Sequence, residues 1–132
     1  MARPWGVFQD VLCLGKEETF TFVQDVLDEI MDIFPSKVIH IGGDEAPTVA
    51  WEQCPLCQKK MKEEGVDAKH FQGYFTNRIE KYLNSKGHSI MGWDEILEGK
   101  ISTTATVMSW RGAEPGIQAA LKGHDVVMTP NT

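Results

Sequence analysis

The sequence predicts an α/β fold in which four parallel strands and their covering helices form part of a (β/α)₈ TIM barrel. Two observations predict this. Segments with a helical period alternate with short apolar runs along the 132 residues, which is the pattern of βαβ units in a parallel sheet. Each apolar run also ends in residues able to bind or react, as barrel strands do at the end that forms the active site. The alternation alone fits a small open sheet as well, and the strand ends favour the barrel.

The first two elements are a helix and a strand. Apolar residues recur at three- and four-residue steps from Phe20 to Phe34, which predicts a helix with one buried face. Pro35 ends this helix because proline lacks a backbone donor and clashes with the preceding turn. The apolar run at 37–41 then predicts a buried strand that leads into two glycines.

A second helix and three further strands follow. Helical spacing of apolar residues covers about 69–85, with Asp67 as its N-cap and Gly87 as its stop. Pro115 and Gly123 frame a shorter helix near the carboxyl end. The link that leaves residue 93 is short, and its helical pattern is weak. The predicted strands are the runs at 88–93, 105–110 and 125–128.

Composition excludes several classes of protein. The chain carries 13 Lys and Arg against 19 Asp and Glu, so its formal net charge is −6, and 42% of its residues are hydrophobic. These values are typical of a single globular domain, here residues 1–132, and not of a disordered chain. An acidic chain without a cluster of basic residues is not expected to bind nucleic acid or an anionic membrane. No apolar run approaches the roughly 20 residues that cross a bilayer, and no secretory signal is visible at the amino terminus.

The sharpest motif runs from His40 to Glu45 at the end of the first predicted strand. Its two glycines let the backbone turn tightly and approach a ligand. Neighbouring residues that leave a strand point in different directions. Asp44 and Glu45 can therefore differ in protonation and in task, one as an ionised carboxylate and one as a general acid. The alternative is structural, with both acids at the start of the next helix, where its dipole favours negative charge.

Two tryptophans close later apolar runs. Trp93 and Trp110 each precede a charged residue at the end of a predicted strand. Indole faces stack on the apolar faces of sugar rings and hold them rigidly. One tryptophan at such a position is usually part of the core, but two at corresponding strand ends beside a carboxylate pair favour a pyranose site.

These motifs together resemble a known family. The run from His40 to Glu45, followed by Gly92-Trp93-Asp94-Glu95 and Ser109-Trp110-Arg111, is similar to the catalytic domain of family 20 glycoside hydrolases, the β-N-acetylhexosaminidases. The resemblance covers nearly the whole chain and about the fourth to seventh strands of that family's barrel. It implies hydrolysis of terminal β-linked N-acetylglucosamine or N-acetylgalactosamine, without metal or cofactor, by a secreted, periplasmic or lysosomal parent protein.

The resemblance also implies a retaining mechanism in which the substrate supplies the nucleophile. The oxygen of the 2-acetamido group attacks the anomeric carbon and forms an oxazolinium intermediate. Glu45 would protonate the leaving oxygen and then activate water. Asp44 would hold the acetamido N–H and offset its growing positive charge. Trp93 and Trp110 would enclose the acetamide and the sugar.

Other residues have weaker assignments. We expect His40 and Glu95 to support the site, with a satisfied buried histidine as the alternative for His40. The arginine strand, the third-strand histidine motif and the last aromatic residues of the family's site have no counterpart in the sequence. We therefore expect a fragment of a catalytic barrel whose own turnover is an open question, and whose strand edges and apolar inner face drive self-association. The alternative function is non-catalytic carbohydrate binding.

The three cysteines, Cys13, Cys54 and Cys57, are too few for a disulfide scaffold. Cys54 and Cys57 form a C-x-x-C pair, which supplies half of a typical zinc site or a redox dithiol. A second pair at the usual spacing is absent from the sequence, where only Cys13 and His70 are nearby. Structural thiols or a local disulfide are therefore favoured over a metal or redox site. The mixed charges at 59–64 predict a solvated helix face.

Overall fold

The computed structural model describes residues 8–130 and contains a four-stranded sheet with helices packed against it. The four strands form where the sequence predicts them, as do the helices predicted at 20–34, 69–85 and 115–123. A short helix at 49–53 was not predicted. The elements in chain order are α1 (Glu17–Ile33), β1 (Val38–His40), α2 (Val49–Gln53), α3 (Pro55–Glu64), α4 (Ala68–Ser85), β2 (Ser89–Trp93), a 3₁₀ helix (Asp94–Glu98), β3 (Thr106–Ser109), α5 (Ala113–Leu121) and β4 (Val126–Met128).

The four strands are parallel and lie side by side in chain order, β1-β2-β3-β4. In this register Ile39 of β1 lies opposite Ile90, and Val107 of β3 lies opposite Val126. Doubly wound sheets reverse their strand order at a switch point, whereas the strands of a (β/α)₈ barrel follow one another in sequence. The observed order therefore agrees with the predicted barrel segment.

Among residues 8–130 the hydrophobic core consists of two clusters. The first joins α1, α4 and α5 to the inner strands, and the second joins the segment before α1 to α2, α3 and the start of α4. Buried members of the first cluster are Leu27, Ile79, Leu83, Ile90, Ile96, Ala105, Val107 and Ala119. Those of the second are Leu14, Trp51, Cys57, Met61 and Phe71.

Helix α4 contributes to both clusters because its apolar residues recur on one face. Phe71, Ile79 and Leu83 are all buried, as the helical period predicts. The carboxylate of Asp67 accepts a hydrogen bond from the backbone N–H of His70 at 3.0 Å, which confirms the predicted N-cap. Within residues 8–130 no helix is both long and apolar enough to cross a membrane.

Two predictions of burial are wrong. Strand β1 is exposed at Val38 and His40 and only half-buried at Ile39, because in the described part of the chain it pairs with β2 alone. Phe34 is 56% exposed because α1 ends at Ile33, one residue before it.

Candidate active site

The carboxyl ends of the strands meet at one cleft. Asp44, Glu45, Trp93 and Trp110 line this cleft of about 320 Å³, together with Thr129, which follows β4. Parallel neighbouring strands bring their carboxyl ends to the same edge of a sheet. The four residues predicted from sequence to react with or bind a sugar are thus neighbours in space, although they come from three separate segments.

The turn that carries the two acids has an unusual backbone. Gly42 and Gly43 have φ values of 73° and 93°, and Glu45 has φ 44°. This left-handed region is open to glycine but costs a residue with a Cβ about 1–2 kcal/mol. The carbonyl oxygen of Gly42 accepts a hydrogen bond from the backbone N–H of Trp93 at 2.9 Å, which fixes the turn to the end of β2. Backbone strain at Glu45 is of the kind that persists where surrounding structure enforces a functional geometry.

Ile96 explains why glycine is required at two strand ends. A Cβ at Gly43 or at Gly92 would lie 2.7 Å from Cγ2 of Ile96, whose side chain is buried. Both backbones therefore approach Ile96 more closely than a side chain would allow. This contact holds the turn with Asp44 against the end of β2.

The two acids do not cap the following helix. Helix α2 begins at Val49, and its N-cap, Thr48, lies three residues beyond Glu45. Asp44 and Glu45 are both exposed at the cleft. The structural alternative raised by the sequence is therefore wrong for this helix.

Trp110 is oriented by Glu95. The indole Nε1–H donates a hydrogen bond to Oε2 of Glu95 at 3.0 Å. Only 11% of the Glu95 side chain is exposed, so this acceptor is held in place by its surroundings. The supporting role expected for Glu95 stays a prediction; the structure shows its hydrogen bond to Trp110.

Trp93 contacts His40 from the neighbouring strand. The two ring centroids are 5.0 Å apart with an interplanar angle of 68°, an edge-to-face arrangement. Nδ1 of His40 accepts a hydrogen bond from the backbone N–H of Gly42 at 3.1 Å. Partial burial lowers the pKa of His40, and the nearby carboxylate of Asp44 opposes this shift. Because His40 is exposed, the alternative of a buried histidine is wrong.

Sequence reasoning assigned no role to Asp94 and Arg111, which form an ion pair between a buried carboxylate and a side chain that is 40% exposed. Oδ2 of Asp94 accepts hydrogen bonds from the backbone N–H groups of Trp110 and Arg111 at 2.9 and 3.1 Å. Oδ1 of Asp94 accepts one from Nε of Arg111. Burial alone would raise the pKa of Asp94, but these donors outweigh it and hold the pKa below its ordinary value. The sequence feature that could have indicated this pair is an acidic residue directly after Trp93 and a basic residue directly after Trp110.

A larger cleft elsewhere does not carry this chemistry. It has a volume of about 540 Å³ and lies between α4 and the loop after the 3₁₀ helix, where His70, Tyr74 and Asn77 are among its lining residues. None of the strand-end residues lines it. Its size alone therefore does not make it the reactive site.

Within residues 8–130, one group of three or more metal-ligating side chains lies close enough together to bind a single ion. It consists of Cys13, Cys54 and Cys57. None of these cysteines lines the cleft at the strand ends. His70 is not part of the group.

Residues 1–132 match the family model described as glycosyl hydrolase family 20, catalytic domain. A β-hexosaminidase of Porphyromonas gingivalis is 51% identical over 129 residues, covering 97% of this chain and 17% of that protein. A β-hexosaminidase of Vibrio furnissii is 40% identical over 123 residues, covering 92% of this chain and 20% of that protein. The chain therefore spans a fifth or less of the length of these two relatives.

Solved structures show the same fold. The GH20 exo-β-N-acetylglucosaminidase of Vibrio harveyi, in complex with N-acetylglucosamine, superposes with a TM-score of 0.86 and 34% identity over 92% of this chain and 19% of that one. The Flavobacterium johnsoniae chitobiase superposes with a TM-score of 0.88 and 31% identity over 97% of this chain and 21% of that one. The described sheet thus corresponds to part of a larger catalytic barrel.

Proposed function

Because the chain belongs to glycosyl hydrolase family 20 and comprises part of its catalytic domain, we propose that it provides the acid–base and sugar-binding residues of a β-N-acetylhexosaminidase. The meeting of two acids and two tryptophans at one cleft carries this proposal. The substrates are glycans that end in β-linked N-acetylglucosamine or N-acetylgalactosamine. The N-acetylglucosamine in the Vibrio harveyi structure supports this class of ligand.

In the first chemical step Glu45 donates its proton to the glycosidic oxygen. At the same time the carbonyl oxygen of the substrate's 2-acetamido group attacks the anomeric carbon. The bond to the leaving alcohol breaks, and an oxazolinium ring forms on the sugar. In the second step the Glu45 carboxylate removes a proton from water, which attacks the anomeric carbon and opens the ring. Two inversions give net retention of configuration.

Asp44 acts on the acetamido group. Its carboxylate accepts a hydrogen bond from the amide N–H and stabilises the positive charge that grows on this group as the ring closes. Asp44 and Glu45 are consecutive residues, and both line the same cleft. One acid can therefore contact the acetamide while the other contacts the leaving oxygen.

The two tryptophans form the walls of the sugar site. Trp93 contacts the ring of His40, and Trp110 donates its indole N–H to Glu95. These neighbours limit rotation of the indoles before a sugar binds, which reduces the entropy lost on binding. Asp94 and Arg111 act as positioning residues because they join the segments that follow β2 and β3.

A pair of aryl β-glycosides tests the proposal, one with a 2-acetamido group and one with a 2-hydroxyl group. We expect hydrolysis of the first alone, since a hydroxyl at C2 cannot form the oxazolinium ring. Asp44→Asn should lower this rate at least about 100-fold. Asp125→Asn is the matched control, because Asp125 lies at the amino end of β4, away from the cleft. Equal hydrolysis of both glycosides, or an unchanged rate in Asp44→Asn, would overturn the proposal.

A further inference from the structure

Three cysteine sulfurs from separate segments converge on one point. Sγ of Cys13 lies 3.7 Å from Sγ of Cys54 and 3.6 Å from Sγ of Cys57. All three sulfurs lie within 4.8 Å of one another. We propose that these cysteines bind a thiophilic divalent cation, Zn²⁺, at a site separate from the proposed sugar cleft.

The spacing of the sulfurs matches zinc coordination. In a tetrahedral site with Zn–S bonds of about 2.3 Å, neighbouring sulfurs are about 3.8 Å apart. The two distances from Cys13 are close to this value and nearly equal. A disulfide would select one pair of cysteines and leave the third thiol without a role, whereas a metal ion uses all three.

The backbone is shaped to bring Cys13 to the C-x-x-C pair. A Cβ at Gly15 would lie 2.3 Å from the carbonyl carbon of Leu56, so only glycine allows the Cys13 turn to approach the start of α3. The hydroxyl of Thr19 donates a hydrogen bond to the carbonyl oxygen of Cys13 at 2.6 Å. The close packing of Gly15 against Leu56 and the hydrogen bond from Thr19 together fix the turn that carries Cys13.

Backbone donors face two of the sulfurs. The N–H groups of Cys57 and Leu56 donate hydrogen bonds to the sulfur of Cys54. The N–H of Gly15 donates to the sulfur of Cys57. Hydrogen bonds to a sulfur favour its thiolate form.

Metal binding at this site is balanced by proton release. Three thiols lose three protons to solvent, three Zn–S bonds form, and the site has a net charge of −1, with water as the fourth ligand. Cys57 is buried, whereas Cys13 and Cys54 are half-buried and leave a route from solvent. The ion would join the segment before α1 to the start of α3 at the second core cluster.

The test uses the 132-residue chain, reduced and then equilibrated with Zn²⁺ or with Co²⁺ as a spectroscopic probe. We expect about one equivalent of Zn²⁺ per chain and a Co²⁺ spectrum with thiolate charge-transfer bands and intense tetrahedral d–d bands. Cys13→Ser and Cys57→Ser should each weaken Zn²⁺ binding more than about 100-fold, since loss of an outer-shell partner alone costs 10–100-fold. Met61→Leu is the matched control, because Met61 belongs to the same buried cluster but is not one of the three ligands.

Less than about a tenth of an equivalent of Zn²⁺ in the reduced, folded chain would overturn the proposal. Undiminished affinity in both serine variants would also overturn it, because the ion would then be bound elsewhere. If the serine variants do not fold, the Co²⁺ spectrum of the unsubstituted chain decides. Thiolate charge-transfer bands support the site, and a spectrum of oxygen and nitrogen ligands contradicts it.

Discussion

Asp94 is fully buried, and its Oδ2 accepts a hydrogen bond from the backbone N–H of Trp110 at 2.9 Å. Asp94 directly follows β2, and Trp110 directly follows β3. The bond therefore joins the ends of two neighbouring strands. Trp93 directly precedes Asp94 in the chain. The distance between Trp93 and Trp110, the two proposed walls of the sugar site, therefore depends on the Asp94 carboxylate, which is buried and does not line the cleft.

Asp94→Asn should lower the free energy of unfolding by about 3 kcal/mol, because an amide NH₂ would replace an acceptor and leave the Arg111 charge without its buried partner. Urea unfolding measures this. Glu98→Gln is the control, since Glu98 lies 3.8 Å from the same guanidinium but is 51% exposed; it should change stability by less than about 1 kcal/mol. Equal effects of the two substitutions would contradict the anchoring role of Asp94.

Stability should fall in acid. Hydrogen bonds from Arg78 and Lys60 lower the pKa of Glu17 to about 2, and the donors around Asp94 lower its pKa as well. Both groups bind fewer protons when folded than when unfolded. Their contribution is therefore complete above the unfolded pKa values near 4 and is lost as the pH falls towards 2. Solvent screening reduces the contribution of Glu17 to the free energy of unfolding, because its side chain is 58% exposed.

The pH dependence is checked by urea unfolding at pH 7, 4 and 3. Asp94→Asn should flatten the loss of stability between pH 4 and 3, since it removes one of the groups that titrates there. An identical pH profile in the variant and the unsubstituted chain would show that Asp94 does not contribute to it.

Gly43→Ala should destabilise the chain more than Gly65→Ala. Both glycines have positive φ values, 93° and 66°. A Cβ at Gly43 would meet Ile96 at 2.7 Å, whereas no atom of the described residues lies within 4 Å of one at Gly65. Backbone strain of about 1 kcal/mol is common to both substitutions, and overpacking adds about 1–3 kcal/mol at Gly43 alone. Thermal unfolding of the two variants gives the difference. A Gly65→Ala effect as large as that of Gly43→Ala would contradict the close contact.

The chain should self-associate through its sheet edges. In the described residues β1 pairs with β2 alone and β4 with β3 alone, while Val38, Val127 and Met128 are exposed. Unpaired edges with apolar side chains favour association. We expect dimers or larger assemblies by light scattering at micromolar concentration and a shift towards monomer in Val127→Lys. A monomeric unsubstituted chain would contradict this expectation.

Local sequence patterns predicted most of the helices and strands. Helical spacing and the Asp67 cap predicted α4, and the apolar runs predicted all four strands. The same reasoning overestimated the burial of β1, because the neighbours of a strand in a sheet are not encoded within the strand. It missed the short α2, whose five residues contain too few turns for a helical period.

The candidate site was also predicted only in part from the sequence. Strand-end position and residue type were enough to place Asp44, Glu45, Trp93 and Trp110 at one edge of the sheet. The hydrogen bonds of Asp94 and the approach of Cys13 to the C-x-x-C pair depend on tertiary contacts. Cys13 lies 41 residues before Cys54, and no spacing rule connects them.

The most direct test of the proposed function is hydrolysis of an aryl 2-acetamido-2-deoxy-β-glucoside by the chain and by Glu45→Gln, with N-acetylglucosamine binding measured in both. We predict that turnover by the chain falls at least about 100-fold in Glu45→Gln, whereas sugar binding changes little. This result would also separate hydrolysis from non-catalytic carbohydrate binding. Turnover by the chain that is equally fast in Glu45→Gln would contradict the assignment of Glu45 as acid and base.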